Sequence, residues 1–178
     1  MSEESQEFLT PDAVNVRPLQ QTDIDQVVPI LQEWVRDAQT GQVIEAEVQD
    51  ILGKMEASLE EGSDRTYYTA ELDGEILGVM ALAAPSPEMI EIASTDNPVE
   101  IVNAFVSGKA QGKGVGKKLL ESLAETAKES GFTELIVNSG PRYKNAWGFY
   151  TKNMGEPVRI LRDQYGPGLD APVWSKAL

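Results

Sequence analysis

Gln111-Gly112-Lys113-Gly114-Val115-Gly116 joins an alternating apolar stretch (residues 99–106) to an amphipathic stretch (residues 117–130), and residues of these types at this spacing can hold an anion. Glycines at such a junction let the chain turn with positive φ and bring bare backbone N–H groups close to a ligand. Those donors then stand at a helix N-terminus, where unpaired N–H groups and the helix dipole both favour negative charge. Gln111, Lys113, Lys117 and Lys118 surround the three glycines in a chain whose formal net charge is −14. The chemistry indicated is the grip of a phosphate or pyrophosphate.

Two familiar phosphate loops fail on spacing. A P-loop places four residues between its first glycine and a Gly-Lys pair followed by Ser or Thr. Here three residues separate Gly108 from Gly112, and Gly114 follows Lys113. The dinucleotide fingerprint needs a small residue three places beyond its second glycine and an acid at the end of the next strand. Lys117 occupies that place, and Glu134 begins the following strand instead of ending it.

Composition removes other chemistries. The chain has no cysteine, which excludes disulfides, thiolate nucleophiles and an acyl-cysteine intermediate. It has no histidine either, so a general base must be a carboxylate, a tyrosine, a lysine or a water chain. Together these absences predict no metal centre. The negative charge opposes nucleic acid and anionic membrane surfaces and suits a cationic acceptor such as an amine. No apolar run approaches the roughly 20 residues that span a bilayer. The polar, acidic start Met1-Ser2-Glu3-Glu4-Ser5 lacks the pattern of a secretory signal, and the expected location is the cytoplasm.

Gln111, Gly114 and Gly116 fill the acyl-CoA signature of the GNAT superfamily of N-acetyltransferases, in which Gln or Arg is followed by two residues, Gly, one residue, then Gly or Ala. The chain resembles that family from Val14 to Leu178. The resemblance implies acetyl-CoA as acyl donor, held at the phosphates by Gln111, Gly112, Lys113, Gly114, Val115, Gly116 and Lys117. It also implies a strand that splays from its neighbour, whose backbone at Ala104, Phe105 and Val106 lines pantetheine. An amide at Ala104 or its neighbour would receive the developing oxyanion.

Ala146-Trp147-Gly148-Phe149-Tyr150 resembles the family's alanine, two residues, aromatic or Leu, then Tyr, which makes Tyr150 the expected acid for the departing thiolate. Glu100 stands eleven residues before Gln111, the spacing of the catalytic glutamate in the histone acetyltransferase branch. Flanking apolar residues should raise its pKa and improve it as a base. Tyr143 stands where the family's asparagine is common, and Gly155 arrives one residue late, so Asn145 and Asn138 compete for the CoA contact. Arg142, Lys144 and Lys152 are lesser candidates for the phosphates, and Tyr165 and Trp174 for a wall of the acceptor pocket. The implied function is direct transfer of an acetyl group to a primary amine of a small molecule or peptide. The alternative is a catalytically silent CoA-binding domain, and a homodimer is compatible with either.

These residues need elements to position them. Residues 14–19 read as a strand, residues 24–35 and 43–59 as helices, and residues 67–72 and 75–83 as a hairpin about Asp73-Gly74. Residues 89–92 read as a strand extension or a short extra strand. A helix follows the glycine loop, then a strand over residues 134–138, a helix over residues 143–154 and two strands about Gly166-Pro167-Gly168. The order predicts an α/β fold with a mixed sheet of about six or seven strands flanked by helices, GNAT-like, with a parallel strand–helix–strand unit at its middle. The expected organisation is a flexible acidic segment over residues 1–13 and one domain over residues 14–178.

Overall fold

The computed structural model describes residues 9–178. Seven strands form one sheet: β1 (Asn15–Pro18), β2 (Arg65–Leu72), β3 (Glu75–Ala83), β4 (Pro98–Val106), β5 (Glu134–Asn138), β6 (Arg159–Leu161) and β7 (Ala171–Ala177), in the order β1-β2-β3-β4-β5-β7-β6. Asp73 and Gly74 both take positive φ (50° and 83°), the conformation that closes the two-residue β2–β3 turn. Every pairing is antiparallel except β4 with β5. The crossover between those two strands carries the glycine loop and α4 (Val115–Glu129).

Helices cover both faces. The apolar stripe of α4 (Val115, Leu119, Leu120, Leu123, Ala127) packs with Tyr150 and Met154 of α5 (Trp147–Met154) against Leu82, Val99, Ile101, Leu135, Val137 and Trp174. On the opposite face, α1 (Ile24–Trp34) and α2 (Glu45–Ser58) bury Val27, Leu31, Val48 and Met55 against Tyr67, Ile76, Val79, Ala81 and Phe105. Pro29 sits inside α1 without ending it. No helix of the described residues is long and apolar enough to cross a membrane.

Two expectations change. Residues 89–92 belong to α3 (Pro87–Ile92), not to a strand. Ser86 caps this helix by accepting from Met89 N, Pro87 supplies a pre-set φ at its first position, and Met89 is buried against Ile136 and Val173. The helix expected over residues 143–154 divides into a 3-10 segment (Pro141–Ala146), broken at Tyr143, and α5. Residues 1–8 of the segment expected to be flexible lie outside the described residues. Pro11–Ala13 form an exposed 3-10 turn, and Leu9 is partly buried against the core.

The α3–β4 connection hangs on Glu134. Only 1% exposed, its carboxylate accepts from Ser94 N (2.9 Å), Thr95 N (2.9 Å), Thr95 Oγ1 (3.0 Å) and Ser175 Oγ. Burial pushes its pKa up, but these donors outweigh burial and hold it below the ordinary value. The folded state therefore binds this proton less tightly than the unfolded chain does. Its contribution is present above the ordinary carboxylate range and is lost as pH falls through the lowered value. Glu134→Ala should cost about 3 kcal/mol by stranding buried donors, lowering Tm by about 6–12 °C in a thermal melt at neutral pH. The loss should shrink in acid.

Candidate active site

Glu100 marks the point where the sheet opens. The parallel pairing of β4 and β5 runs through Pro98↔Glu134, Val99↔Leu135 and Glu100↔Ile136, and stops there. β5 pairs with β7 along its whole length, and beyond Ile136 it pairs with β7 alone, leaving residues 101–106 without a partner on the β5 side. Against β3, the register slips between Val79 and Ala81, so that Asn103 and Ala104 have no pairing partner. This is a bulge, and Asn103 takes φ 49° to make it. Unpaired backbone at the middle of a sheet is a place for an extended ligand to bind as a strand would.

The glycine loop lies at the far end of the opening. Gly112 (φ 70°) has no atom within 4 Å of where a Cβ would stand, so its surface is open. Gly114 (φ 84°) is the N-cap of α4, and the first intrahelical bond runs from Lys118 N to Gly114 O. The N–H groups of residues 112–117 thus precede any helical partner, as a helix start requires. Lys109 pairs with Glu75 and Lys117 with Glu121, while Lys113 and Lys118 make no ion pair among the described residues. The donors, the open glycine and the lysines fit a pyrophosphate.

Glu100 is 7% exposed. Its Oε2 accepts from Ser86 N at 2.9 Å, and Asn138 Nδ2 stands 3.5 Å from Oε1. Burial pushes its pKa up, opposed by the Ser86 N–H and the charge of Arg65 and reinforced by Glu88. Asn138 is itself oriented by Tyr165, whose hydroxyl donates to its Oδ1 at 2.7 Å. On the face covered by α4 and α5, Tyr150 is 6% exposed between Phe149 and Trp174, and its hydroxyl makes no hydrogen bond among the described residues. Desolvation pushes its pKa up to about 12, so the phenol keeps its proton through the neutral range.

A family model described as acetyltransferase (GNAT) family matches residues 28–155. The chain belongs to the GNAT family of acetyltransferases. Among solved structures, a GNAT-family protein from Desulfovibrio desulfuricans superposes with a TM-score of 0.75 at 18% identity, covering 93% of this chain and 99% of its own. The PaiA N-acetyltransferase of Thermoplasma acidophilum, solved in complex with coenzyme A, gives 0.66 at 17% identity over 93% and 99%. A ribosomal-protein-alanine N-acetyltransferase from Brucella melitensis gives 0.64 at 20% identity over 92% and 99%. No curated protein sequence matches the chain. GNAT enzymes use acetyl-CoA as acyl donor.

Within this GNAT fold the expected site residues are not all equally placed. Phe105 pairs with Val79, and its ring lies in the core against Tyr143. Val106 faces the opening, because Ser107 N already donates the other way to Leu77 O. Its carbonyl, however, accepts from Trp34 Nε1 (2.8 Å) and Gln111 Nε2 (3.3 Å). Trp34 was not marked by its sequence, since it is far from Val106 in the chain. The Val115 side chain is core, leaving its N–H as its only offering. Asn145 is exposed on the 3-10 segment, while the Asn138 amide is engaged by Glu100 and Tyr165. Arg142 is taken by Glu47, and Lys144 lies over the Trp147 ring. Trp174 is core, bonded to Thr151, so of the two aromatics Tyr165 alone reaches the site.

Gly114 connects this loop to the amino-terminal segment. A Cβ there would meet Pro11 Cγ at 2.8 Å, on a backbone with φ 84°. Gly114→Ala should therefore displace the loop and raise KM for acetyl-CoA by about tenfold, with kcat changed far less, as loss of uniform binding does. Initial rates over a range of acetyl-CoA concentrations measure it.

Proposed function

We propose that the protein transfers the acetyl group of acetyl-CoA directly to a primary amine, with both substrates bound together. The observation that carries this reading is Glu100, a buried carboxylate at the fork of β4 and β5 with its pKa raised by burial. A base must take a proton from the amine near neutrality, and a carboxylate raised by burial is suited to it. The amine nitrogen bonds to the thioester carbonyl carbon, and its proton goes to Glu100 directly or through water. As the C–S bond breaks, the electron pair leaves on sulfur, and Tyr150 gives the thiolate its proton. The unpaired main chain at Ala104 offers an N–H to the oxygen while it carries charge.

Residues 111–117 are the proposed grip on the CoA phosphates, with Ala104 and Val106 along pantetheine. Binding through the Val106 carbonyl requires Trp34 to give way, and Asn145 is left as a peripheral contact. The test is thiol release from acetyl-CoA across an amine panel, with calorimetry of coenzyme A alongside. Turnover with an amine, scaling with enzyme, supports the proposal. Tight binding of coenzyme A without turnover of any amine supports a silent binding domain instead, and absence of binding overturns both.

A further inference from the structure

Arg65, Ala83 and Glu100 stand side by side across three strands: Arg65 pairs with Ala83, and Ala83 with Glu100. In the next row of the same face, Tyr67 pairs with Ala81, and Ala81 with Val102. Side chains in register share a face of the sheet, so Arg65 and Glu100 flank Ala83 (5% exposed), and Tyr67 and Val102 flank Ala81 (0% exposed), with both alanines lying under neighbouring side chains. Two strand spacings separate β2 from β4 by about 10 Å. A guanidinium and a carboxylate in one row of one face can reach one small molecule held between their tips.

Arg65 is held by neutral groups. Its Nη1 donates to Asn103 Oδ1 at 3.2 Å and to Tyr67 Oη at 3.4 Å, and Tyr67 donates to the same Asn103 Oδ1 at 2.7 Å. The bulge aims that amide, because Asn103 is among the few residue types that enter the left-handed region readily. No carboxylate lies within 4.0 Å of Arg65 among the described residues, whereas Arg17 has two and Arg142 and Arg162 have one each. In a chain with 29 acidic and 15 basic residues, a half-buried arginine left without an acid is unexpected on charge alone. Only one of its nitrogens is used, which leaves Nη2 and Nε as a fork suited to a carboxylate.

We propose that the acceptor is an amino acid or a molecule built like one, with its amine at Glu100 and its carboxylate on the free fork of Arg65. The inference rests on Glu100 being the base of the proposed transfer. The site is then a matched dipole: positive at Arg65, negative at Glu100, with Asn103 and Tyr67 fixing the guanidinium without neutralising it. Against the overall negative charge of the chain, this local cation is what lets an anionic group approach. The Tyr165 hydroxyl on Asn138 adds a wall near Glu100.

The experiment is thiol release from acetyl-CoA with α- and ω-amino acids, each set against the amine lacking its carboxylate, for the parent, Arg65→Gln and Arg65→Lys. The parent should prefer the carboxylate-bearing member of the productive pair by about 30–100-fold in kcat/KM, the size of a charge-assisted fork. Arg65→Gln should lose that preference, read as the ratio of kcat/KM within the pair so that any change common to both members from loss of its charge near Glu100 cancels, and Arg65→Lys should recover part of it. Should Arg65→Gln fold poorly, competition of n-alkanoates against the amine in the parent supplies the same information. A parent that favours the decarboxylated amines, or an Arg65→Gln that slows both members equally, overturns the proposal and leaves Arg65 as a brace for the bulge. If no amine releases thiol with any variant, the transfer reading itself falls, and this one with it.

Discussion

Glu100→Gln should lower kcat/KM for the amine by about 10²–10⁴-fold, the span of general-base catalysis, and abolish the acidic limb of the pH–rate profile. The base form of Glu100 is the carboxylate, so activity rises with pH as the proton leaves. Because burial holds this pKa above the ordinary carboxylate value, the parent limb lies at higher pH than an exposed glutamate would place it. Stability should move the other way. A raised folded pKa means that the folded state binds the proton more tightly than the unfolded chain, so the ionised group costs stability above that pKa and the cost fades as pH falls through it. Gln carries no charge to bury and still accepts from Ser86 N. The variant should therefore melt no lower than the parent at neutral pH while losing turnover. A variant that keeps the parent's acidic limb removes Glu100 from the mechanism, and one that loses turnover together with several degrees of Tm assigns it to structure.

Tyr150→Phe should lower kcat by about 10²-fold with little change in KM for acetyl-CoA, because it removes a proton needed only as the C–S bond breaks. The ring stays, and with it the packing against Phe149 and Trp174. Its hydroxyl has no partner to lose among the described residues, so the melting temperature should hold within a degree or two. The acid form is the working form here, and with a pKa pushed up to about 12, deprotonation reduces activity only in strong alkali. An alkaline limb below pH 10 would come from another group, such as the acceptor amine, and should survive in the variant. Unchanged kcat at saturating acetyl-CoA would end the assignment of Tyr150 as the acid.

The two residues differ in how they could be found. Tyr150 follows Ala146, Trp147 and Phe149 within five consecutive residues, so a local pattern marks it. Glu100 is marked by its distance along the chain from Gln111, but what makes it a base is not local: Ser86 comes from the start of α3, Asn138 from β5, and the desolvating surroundings from several elements. Asn138 shows the limit most clearly. Its amide could be read as a CoA contact from position alone, yet the fold spends it on Glu100 and Tyr165. Trp34 and Arg65 carry no motif at all, and each acquires meaning only from a strand distant in sequence.

What the chain determined by itself is whatever a few consecutive residues can decide. The glycine loop, the Asp73-Gly74 turn and the α4 stripe depend on backbone freedom and side-chain periodicity, which act over a handful of positions. Residues 89–92 escaped this reading because a serine cap and a proline outweighed their apolar run. Tertiary structure alone decided where the parallel pair ends, where β4 bulges at Asn103, and that Arg65 and Glu100 share a row of one face. Those are properties of register between strands, and register is settled by the best packing of both faces at once, an energy summed over residues that are neighbours only after folding.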